Sequence, residues 1–538
     1  MNDIHWSVDS FVFNRGVVFT YGWFFNERKD ITELSFIIRQ SDLKKKSIVK
    51  VDYGKIRNDV GQYFPKSNYS MHSGFLLYNS IPSEGKIVEL SWHVTYADGT
   101  SENVPIPDKI FTHDTVETTT KKDIIKQYNL LWNKCWPLIK SRQFKLLFDK
   151  IFRYVHKIPT RNLHNASDIK KIINKEGRDR VIFVLDHDLG GGANLYRKRL
   201  IKERLSLGFS IITLSYNIAS LSYKIIINHN GKEDVFGIPD IEYIYTILNF
   251  INIEELIYNT GVSFIKPQDI PRFLIGLKLK SNAPITILAH DLFPLCPSHF
   301  LINEQGVYCN IPESTRCKSC LRNNTFGFTS LYESGDIDEW RNKWGEVINA
   351  ADKIIFFSKN TCDLYRRVYP QITEVKAVIA PHQVDYFPYK AIIKNKEKLV
   401  IGVVGQIGHH KGSAIVKSLA EEIRKKKTDV EIVVVGTLEV SCPTDIVHQT
   451  GPYKHSELPA LLEKNGVNVI LFPSIWPETF SYVVQEMIEL GYPVASFNLG
   501  APVERLIDYE NGMILTSMSA SDILRDLLSF FHKSNSSK

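Results

Sequence analysis

The chain has 538 residues, 43% of them apolar, and a formal net charge of +7. That length is too great for one domain and points to three or four, with apolar side chains enough for real cores. No run of 18 or more apolar residues occurs, so no spanning helix is predicted, and the first residues lack the basic-then-apolar order of a signal peptide. Seven cysteines, four of them clustered, point to a reducing compartment with metal binding rather than a disulfide framework. Cytoplasmic residence is therefore expected.

Residues 1–115 read as an all-β module. Short strands are predicted at 10–13, 17–25, 34–39, 47–52, 74–78 and 87–96, and Asp98-Gly99 is a hairpin turn signal. Trp6, Trp23 and Trp92 are expected to fill a sandwich interior. Two roles are open to such a module: structural support with dimerisation, or glycan and acceptor binding.

Residues 116–178 read as a basic helical linker. Between 121 and 157, ten basic side chains stand against two acidic ones, a local charge of +8. Trp132, Trp136, Phe144, Phe148, Phe152 and Val155 form an aromatic stripe, with Pro137 at a break. Such a helix pair can lie in a membrane interface or bury its stripe between domains. The charge asymmetry points to an anionic surface as partner.

From Arg180 the pattern becomes α/β. Val181-Ile-Phe-Val-Leu185 is a buried parallel strand, followed by a loop containing Gly190-Gly-Gly192 and a basic helix at 195–207. Residues 285–288 form another buried strand, ending in Ala289-His290-Asp291. At a carboxyl strand end His290 is a ligand-facing candidate, and Asp291 could orient its ring or bind an acceptor. Cys296, Cys309, Cys317 and Cys320 follow with spacing C-x12-C-x7-C-x2-C. Only the last pair has zinc-knuckle spacing, so structural zinc, free thiols and disulfides all stay open. Four thiolates would leave no open position for a catalytic zinc.

The stretch 471–494 reads as a buried strand, a polar loop and a helix, with Glu478 before the helix and Glu486 eight residues later. Eight helical residues rise roughly 12 Å. That exceeds the ~5–9.5 Å between carboxylates serving one glycosidic bond, but it suits two ends of one long ligand. Free N–H groups near Thr479, Phe480 and Ser481 offer an anion site between them. Hydroxyls, anion, hydroxyls is the plan of a nucleotide sugar.

In this order, Ile401-Gly-Val-Val-Gly405, Lys411-Gly412, Glu431-Ile-Val-Val-Val-Gly436, Gly451-Pro-Tyr453, Pro473-Ser474, Glu478, Phe480, Glu486 and Gly500-Ala-Pro-Val-Glu504 resemble the motifs of glycosyltransferase family 4. The likeness covers about residues 180–530. It implies a GT-B fold: an N-terminal Rossmann-like acceptor domain at 179–385, with a cysteine insert at 296–320, and a donor domain at 386–538. The strand-then-serine pattern at 354–358 would close the first. Ala380-Pro-His-Gln-Val-Asp385 resembles the family's hinge, and the last helix, at 520–532, is expected to pack back across it. The pieces WSVDS and YGWFF look like a β-sandwich module found beside bacterial polysaccharide glycosyltransferases.

The resemblance implies retaining transfer from a nucleotide sugar to a hydroxyl of a growing surface glycan, such as O-antigen or capsule, without a required cofactor. Glu478 and His290 would contact the transferred sugar, Glu486 the ribose, and Gly191 and Gly192 would let the donor approach the backbone. Lys411 is the leading clamp for the leaving diphosphate. Five residues earlier many members carry arginine where Gln406 stands here, so His409 or His410 is a candidate to compensate. Expected partners are the donor, a lipid-linked or oligosaccharide acceptor, and the anionic inner face of the plasma membrane. Nucleic acid is not among them, and the β module offers a route to oligomers. An epimerase, a phosphorylase, or a non-catalytic glycan-binding or assembly subunit with a decayed site are the other classes.

Overall fold

The computed structural model describes residues 3–111 apart from Arg15, 161–173 apart from His164, and 180–536 apart from Ala219, Glu333, Pro388, Ile392 and 394–396. The basic aromatic stripe at 121–157 lies outside the described residues.

In the first segment period-two alternation builds β1 (Ile4–Asn14), β2 (Val17–Asn26), β3 (Ile31–Gln40), β4 (Ser47–Lys50), β5 (Asp52–Lys55), the short α1 (Asn58–Tyr63), β6 (Gly74–Ser80), β7 (Ile87–Tyr96) and β8 (Ser101–Pro105). They form two antiparallel sheets, β1-β2-β6-β5 and β4-β3-β7-β8. Both contribute to one core centred on the fully buried Trp92. Phe36 stacks on its ring at 4.1 Å, while Phe75 and Phe24 meet it edge-on at 4.8 and 5.3 Å. Trp6 reaches this core at 6.3 Å. Trp23 does not fill the interior as the sequence reading expects. It is one residue out of phase with Phe24, so it takes the opposite face, beside Phe25 and Phe64.

The chain continues with β9 (Arg161–Asn162), α2 (Ser167–Ile173), β10 (Arg180–Leu185), α3 (Gly192–Ser206), β11 (Ser210–Asn217), β12 (Ser222–His229), β13 (Lys232–Ile238), α4 (Tyr243–Ile247), β14 (Asn252–Tyr258), α5 (Ile270–Ser281) and β15 (Ile285–Ala289). Then come α6 (Ser314–Leu321), α7 (Ile337–Ala350), β16 (Lys353–Phe356), α8 (Lys359–Val368) and β17 (Ala377–Ile379). The last third holds β18 (Leu399–Ile407), α9 (Ser413–Lys426), β19 (Val430–Leu438), β20 (Val447–Gln449), α10 (Leu458–Lys464), β21 (Val469–Phe472), α11 (Tyr482–Leu490), β22 (Val494–Phe497), α12 (Gly500–Leu506), β23 (Gly512–Leu515) and α13 (Ala520–Ser536).

These elements divide into two units. Asn217–Ile227 and Lys232–Asp240 group with the first unit, while Ile169–Tyr216 and Ile241–Lys538 form the body of the second. The sequence reading runs the first α/β domain unbroken from 179 to 385. A β12–β13 excursion interrupts it, because β13 pairs with β9 at Phe236 and Arg161.

Within the second unit two parallel sheets repeat one plan. The first runs β17-β16-β15-β14-β10-β11 and the second β20-β19-β18-β21-β22-β23. Each strand order reverses once, between β10 and β14 in the first sheet and between β18 and β21 in the second. Loops leaving strands on opposite sides of a reversal diverge and open a crevice at the carboxyl edge. The last helix departs from expectation. Its buried side chains, Ile523, Leu524, Leu527, Phe530 and Phe531, join the core of the second sheet with Val416, Leu419 and Ile423 of α9. Its apolar stripe is satisfied there rather than across the hinge.

Candidate functional site

The loop after β10 is built on a buried carboxylate. Asp186 is fully buried and pairs with Arg197 at 2.8 Å. It accepts bonds from the Asn194 and Asn259 side chains, at 3.0 and 2.8 Å, and from the backbone N–H of His187 at 2.8 Å. Asn259 follows β14, so this one group ties the two loops of the first reversal together. Burial raises its carboxyl to about 6 against the pull of Arg197. Gly191 precedes α3 and Gly192 opens it. A Cβ at Gly192 would sit 2.9 Å from the Tyr482 ring, so the backbone approaches α11 closely, as only glycine allows.

The second reversal carries Lys411. Residues 409–411 form one tight turn after β18, and Lys411 is half-buried. Gly412 has φ +81°, and a Cβ there would lie 2.0 Å from the Pro473 carbonyl oxygen. The backbone N–H of Ile475 donates to the carbonyl of His410 at 3.1 Å. The Lys411 turn is thus bound to the loop leading to Glu478. Gln406 lies exposed at the carboxyl end of β18.

The acidic pair differs from the sequence picture. Helix α11 begins at Tyr482, so only the last part of the span from Glu478 to Glu486 is helical, and an eight-residue helical rise does not apply. Glu478 is 8% exposed, and its Oε1 is buried without a hydrogen-bond partner among the described residues. Glu486 is 3% exposed and accepts a bond from the Tyr386 hydroxyl, with His455 at 3.4 Å. Burial raises its carboxyl, opposed by Tyr386, His455 and Lys411. Ser481 holds φ +66°, a strained value for a side-chain-bearing residue. Its hydroxyl caps α11 by accepting from Val484 N–H at 3.4 Å.

The expected anion cradle is accordingly narrower. The Thr479 hydroxyl donates to the His290 carbonyl at 2.7 Å. Phe480 is 4% exposed and packs beneath the Arg505 guanidinium at 4.2 Å. These side chains join the two halves and fill the floor. That leaves the N–H groups at the α11 start, rather than the side chains, for an anion.

His290 follows β15 as expected. Its ring stacks on Phe357 at 4.3 Å, and its Nε2 is buried without a partner among the described residues. Burial holds it well below its usual value. Asp291 is held within its own surroundings. Its carboxylate accepts from the Thr260 hydroxyl and from Phe293 N–H at 2.9 Å, and burial raises it to about 6. It organises the loop.

The cysteine insert docks on the Lys411 turn. Phe300 stacks on His410 at 4.2 Å, Phe326 stacks on His409 at 4.8 Å, and the Gly306 carbonyl meets His409 Nε2 at 2.8 Å. Of the four cysteines, Cys317 bonds weakly to the Pro312 carbonyl at 3.7 Å and Cys320 accepts from Asn324 at 3.4 Å. Burial pushes up the thiols of Cys296, Cys309, Cys317 and Cys320. Among the described residues no group of three or more His, Cys, Asp or Glu is placed to hold a metal ion.

The sequence reading missed three groups here: His382, Arg505 and Tyr386. His382 and Tyr386 stand in or beside the hinge string, and Arg505 follows Glu504, but nothing in one sequence marks them as cleft residues. Glu504 itself accepts from the backbone N–H groups of Lys359, at 3.0 Å, and Asn360. It caps α8 of the first half from α12 of the second.

No curated protein matches the chain. Among solved structures it is similar to sucrose-phosphate synthase from Thermosynechococcus elongatus, with a TM-score of 0.46 and 14% identity over 66% of this chain and 90% of that one. Anabaena HepE in complex with UDP-glucose gives 0.41 and 14% over the same shares. The lipopolysaccharide outer core galactosyltransferase WaaB in its apo form gives 0.39 and 13% over 66% and 91%. Residues 389–538, which hold the second parallel sheet with Lys411, Glu478 and Glu486, match the family model of glycosyl transferases group 1.

Proposed function

We propose that the chain is a retaining glycosyltransferase that moves a sugar from a nucleotide-sugar donor to a hydroxyl of a growing surface glycan. One observation carries this reading. The residues singled out for donor chemistry lie at the two strand-order reversals of one unit, where α/β sheets bind ligands. Close contacts link them: Gly192 to Tyr482, Thr479 to His290, and the Lys411 turn to the Glu478 loop. The family match at 389–538 supports the same assignment.

In this reading Lys411 and the N–H groups at the start of α11 stabilise the leaving diphosphate. Glu486, held by Tyr386 and His455, takes the ribose hydroxyls. Glu478 and the neutral His290 face the transferred sugar. Retention is carried over from the resemblance, and the reaction as proposed runs without a metal. The acceptor is a lipid-linked or free oligosaccharide at the cytoplasmic face of the plasma membrane. The charge of +8 over residues 121–157 supports peripheral attachment there. No helix among the described residues is long and apolar enough to cross a membrane.

Calorimetry with a panel of nucleoside diphosphates tests the donor site. One of them should bind, and Lys411→Ala should weaken it by about 1.5–3 kcal/mol, the range of a charged hydrogen bond. Equal affinity in wild type and variant would remove the clamp. Gln406 favours a second reading, a binding subunit with a decayed site. Donor binding without hydrolysis or transfer would select it.

A further inference from the structure

Beside the segment joining the two α/β halves lies a cavity of about 490 Å³, within the range of roughly 300–1,000 Å³ usual for small-molecule sites. Its wall includes His382 and Asp385 from the hinge, Phe357 after β16, Gln485 and Glu489 on α11, and Arg505 on α12. The Glu486 carboxylate belongs to a different cluster, with Tyr386 and His455.

Two lining side chains carry buried atoms without a hydrogen-bond partner among the described residues: His382 Nδ1 and Arg505 Nη2. Buried polar atoms are costly unless paired, so a ligand that pairs them is favoured. The ring of His382 is fixed on several sides. It stacks on Phe357 at 3.9 Å and on Tyr482 at 5.0 Å, meets Phe480 edge-on at 4.5 Å, and lies parallel to His290 at 5.3 Å. Burial, with Arg199 and Arg505 nearby, brings it down to about 3. It is neutral at ordinary pH and has one donor and one acceptor nitrogen, as a hydroxyl partner requires.

The remaining lining selects against anions. Gln485 accepts from Arg505 at 3.4 Å and donates to Glu489 at 2.9 Å, forming a polar belt. Three carboxylates, Asp385, Glu489 and Glu504, face two guanidiniums, Arg505 in the wall and Arg199, which pairs with Asp385 at 3.7 Å. A phosphate would meet more negative than positive charge there. Amide, carboxylate and imidazole groups beside an aromatic ring suit a neutral polyhydroxylated ligand.

We propose that this hinge cavity is a carbohydrate subsite, separate from the donor site, that takes a neutral sugar unit through His382, Arg505 and Gln485. Its use as an acceptor subsite rests on the glycosyltransferase reading, since the parallel His382 and His290 rings place it next to the proposed point of transfer. Sugar binding itself does not depend on that reading.

The test uses the full chain and the methyl glycosides of glucose, galactose, mannose and N-acetylglucosamine, followed by saturation-transfer NMR with and without saturating UDP. At least one glycoside should bind, and UDP should leave it bound. His382→Phe, which keeps the stacked ring but removes both nitrogens, and Gln485→Leu should each weaken it at least tenfold while leaving UDP affinity within twofold. The inference is overturned if none of the four glycosides binds, if UDP displaces the bound one, or if both variants bind it as wild type does. Glycoside binding in a chain that ignores every nucleoside diphosphate of the calorimetric panel would sustain the subsite and sink the donor-site reading.

Discussion

Acid should loosen the cleft, and its side chains set the size of the effect. Burial holds His187 at about 4 and His299 and His382 at about 3, while an unfolded chain titrates its histidines near 6.5. A depressed histidine contributes stability above pH 6.5 and loses it as pH falls toward the folded value. Between pH 7.5 and 5.5 each of the three loses about 1.4 kcal/mol, together about 4 kcal/mol. The raised carboxyls act in the opposite sense: Asp186 and Asp291, at about 6, and Glu486, raised by its burial. They bind protons more readily when folded, and Asp186 and Asp291 together return about 1.6 kcal/mol over the same interval. For these five groups the net loss is about 2.5 kcal/mol; His290, held well below its usual value, adds to it and Glu486 subtracts from it. Urea unfolding followed by tryptophan fluorescence at the two pH values measures this directly. His382→Phe preserves the ring stack on Phe357 and removes one titrating group, so its loss between the two pH values should be smaller by about 1.4 kcal/mol. An equal pH dependence in wild type and His382→Phe would refute the reasoning.

Gly412→Ala should cost stability in the second sheet and weaken nucleoside diphosphate binding together, since the added Cβ would meet the Pro473 carbonyl at 2.0 Å. A variant matching wild type in both melting temperature and affinity would show that the turn relaxes freely. Glu486→Ala should weaken a free nucleoside diphosphate, whereas Glu478→Ala should spare it and impair transfer. Calorimetry with the reverse pattern would mean the donor lies the other way round. Changing Lys140, Arg142, Lys145 and Lys150 to Gln should reduce sedimentation with anionic liposomes at low salt, where each basic residue contributes about 1 kcal/mol. Wild type that ignores such liposomes would remove the membrane proposal.

The elements with strong local patterns were legible in the sequence. Val181–Leu185 reads as a buried parallel strand because an apolar run without alternation needs cover on both faces, and it is one here, as the family motif Ile401–Gly405 is also part of a strand. Gly191, Gly192, Gln406 and Lys411 stood out as candidates because they follow strands beside glycines. What one sequence did not reveal was pairing between distant segments. The β12–β13 excursion pairs with β9 across some seventy residues, and the insert meets the Lys411 turn through Phe300 and His410. Phase was a second limit: both Trp23 and Phe24 suit a core, and strand register decides which one enters it. Third, the start of α11 at Tyr482 rather than near Glu478 follows from Ser481 acting as its cap, a choice that Thr479 and Ser481 make almost equally plausible in sequence.

Gln406 stands where the resemblance leads one to expect arginine, which raises the question of what charge would face a diphosphate. The neighbouring histidines were the candidates. His409 binds the Gly306 carbonyl through its ring and Glu439 through its backbone N–H, at 3.1 Å. His410 lies flat against Phe300 at 4.2 Å, an interplanar angle of 7°. Both rings are used to seat the insert, which fits a structural duty better than a charge on phosphate. Gln406 is exposed and can offer only a neutral hydrogen bond. Of the groups singled out for the clamp, Lys411 is therefore the one that brings a full positive charge. The start of α11 adds partial charge, but its cap at Val484 N–H is already taken by Ser481. A clamp with one full charge should respond to its removal more completely than a clamp with two, in which the partner retains part of the attraction. The docked insert gains importance by the same argument. Excluding water around a single cation strengthens its pull on a diphosphate, and Phe300 and Phe326 stack on the two residues that precede Lys411.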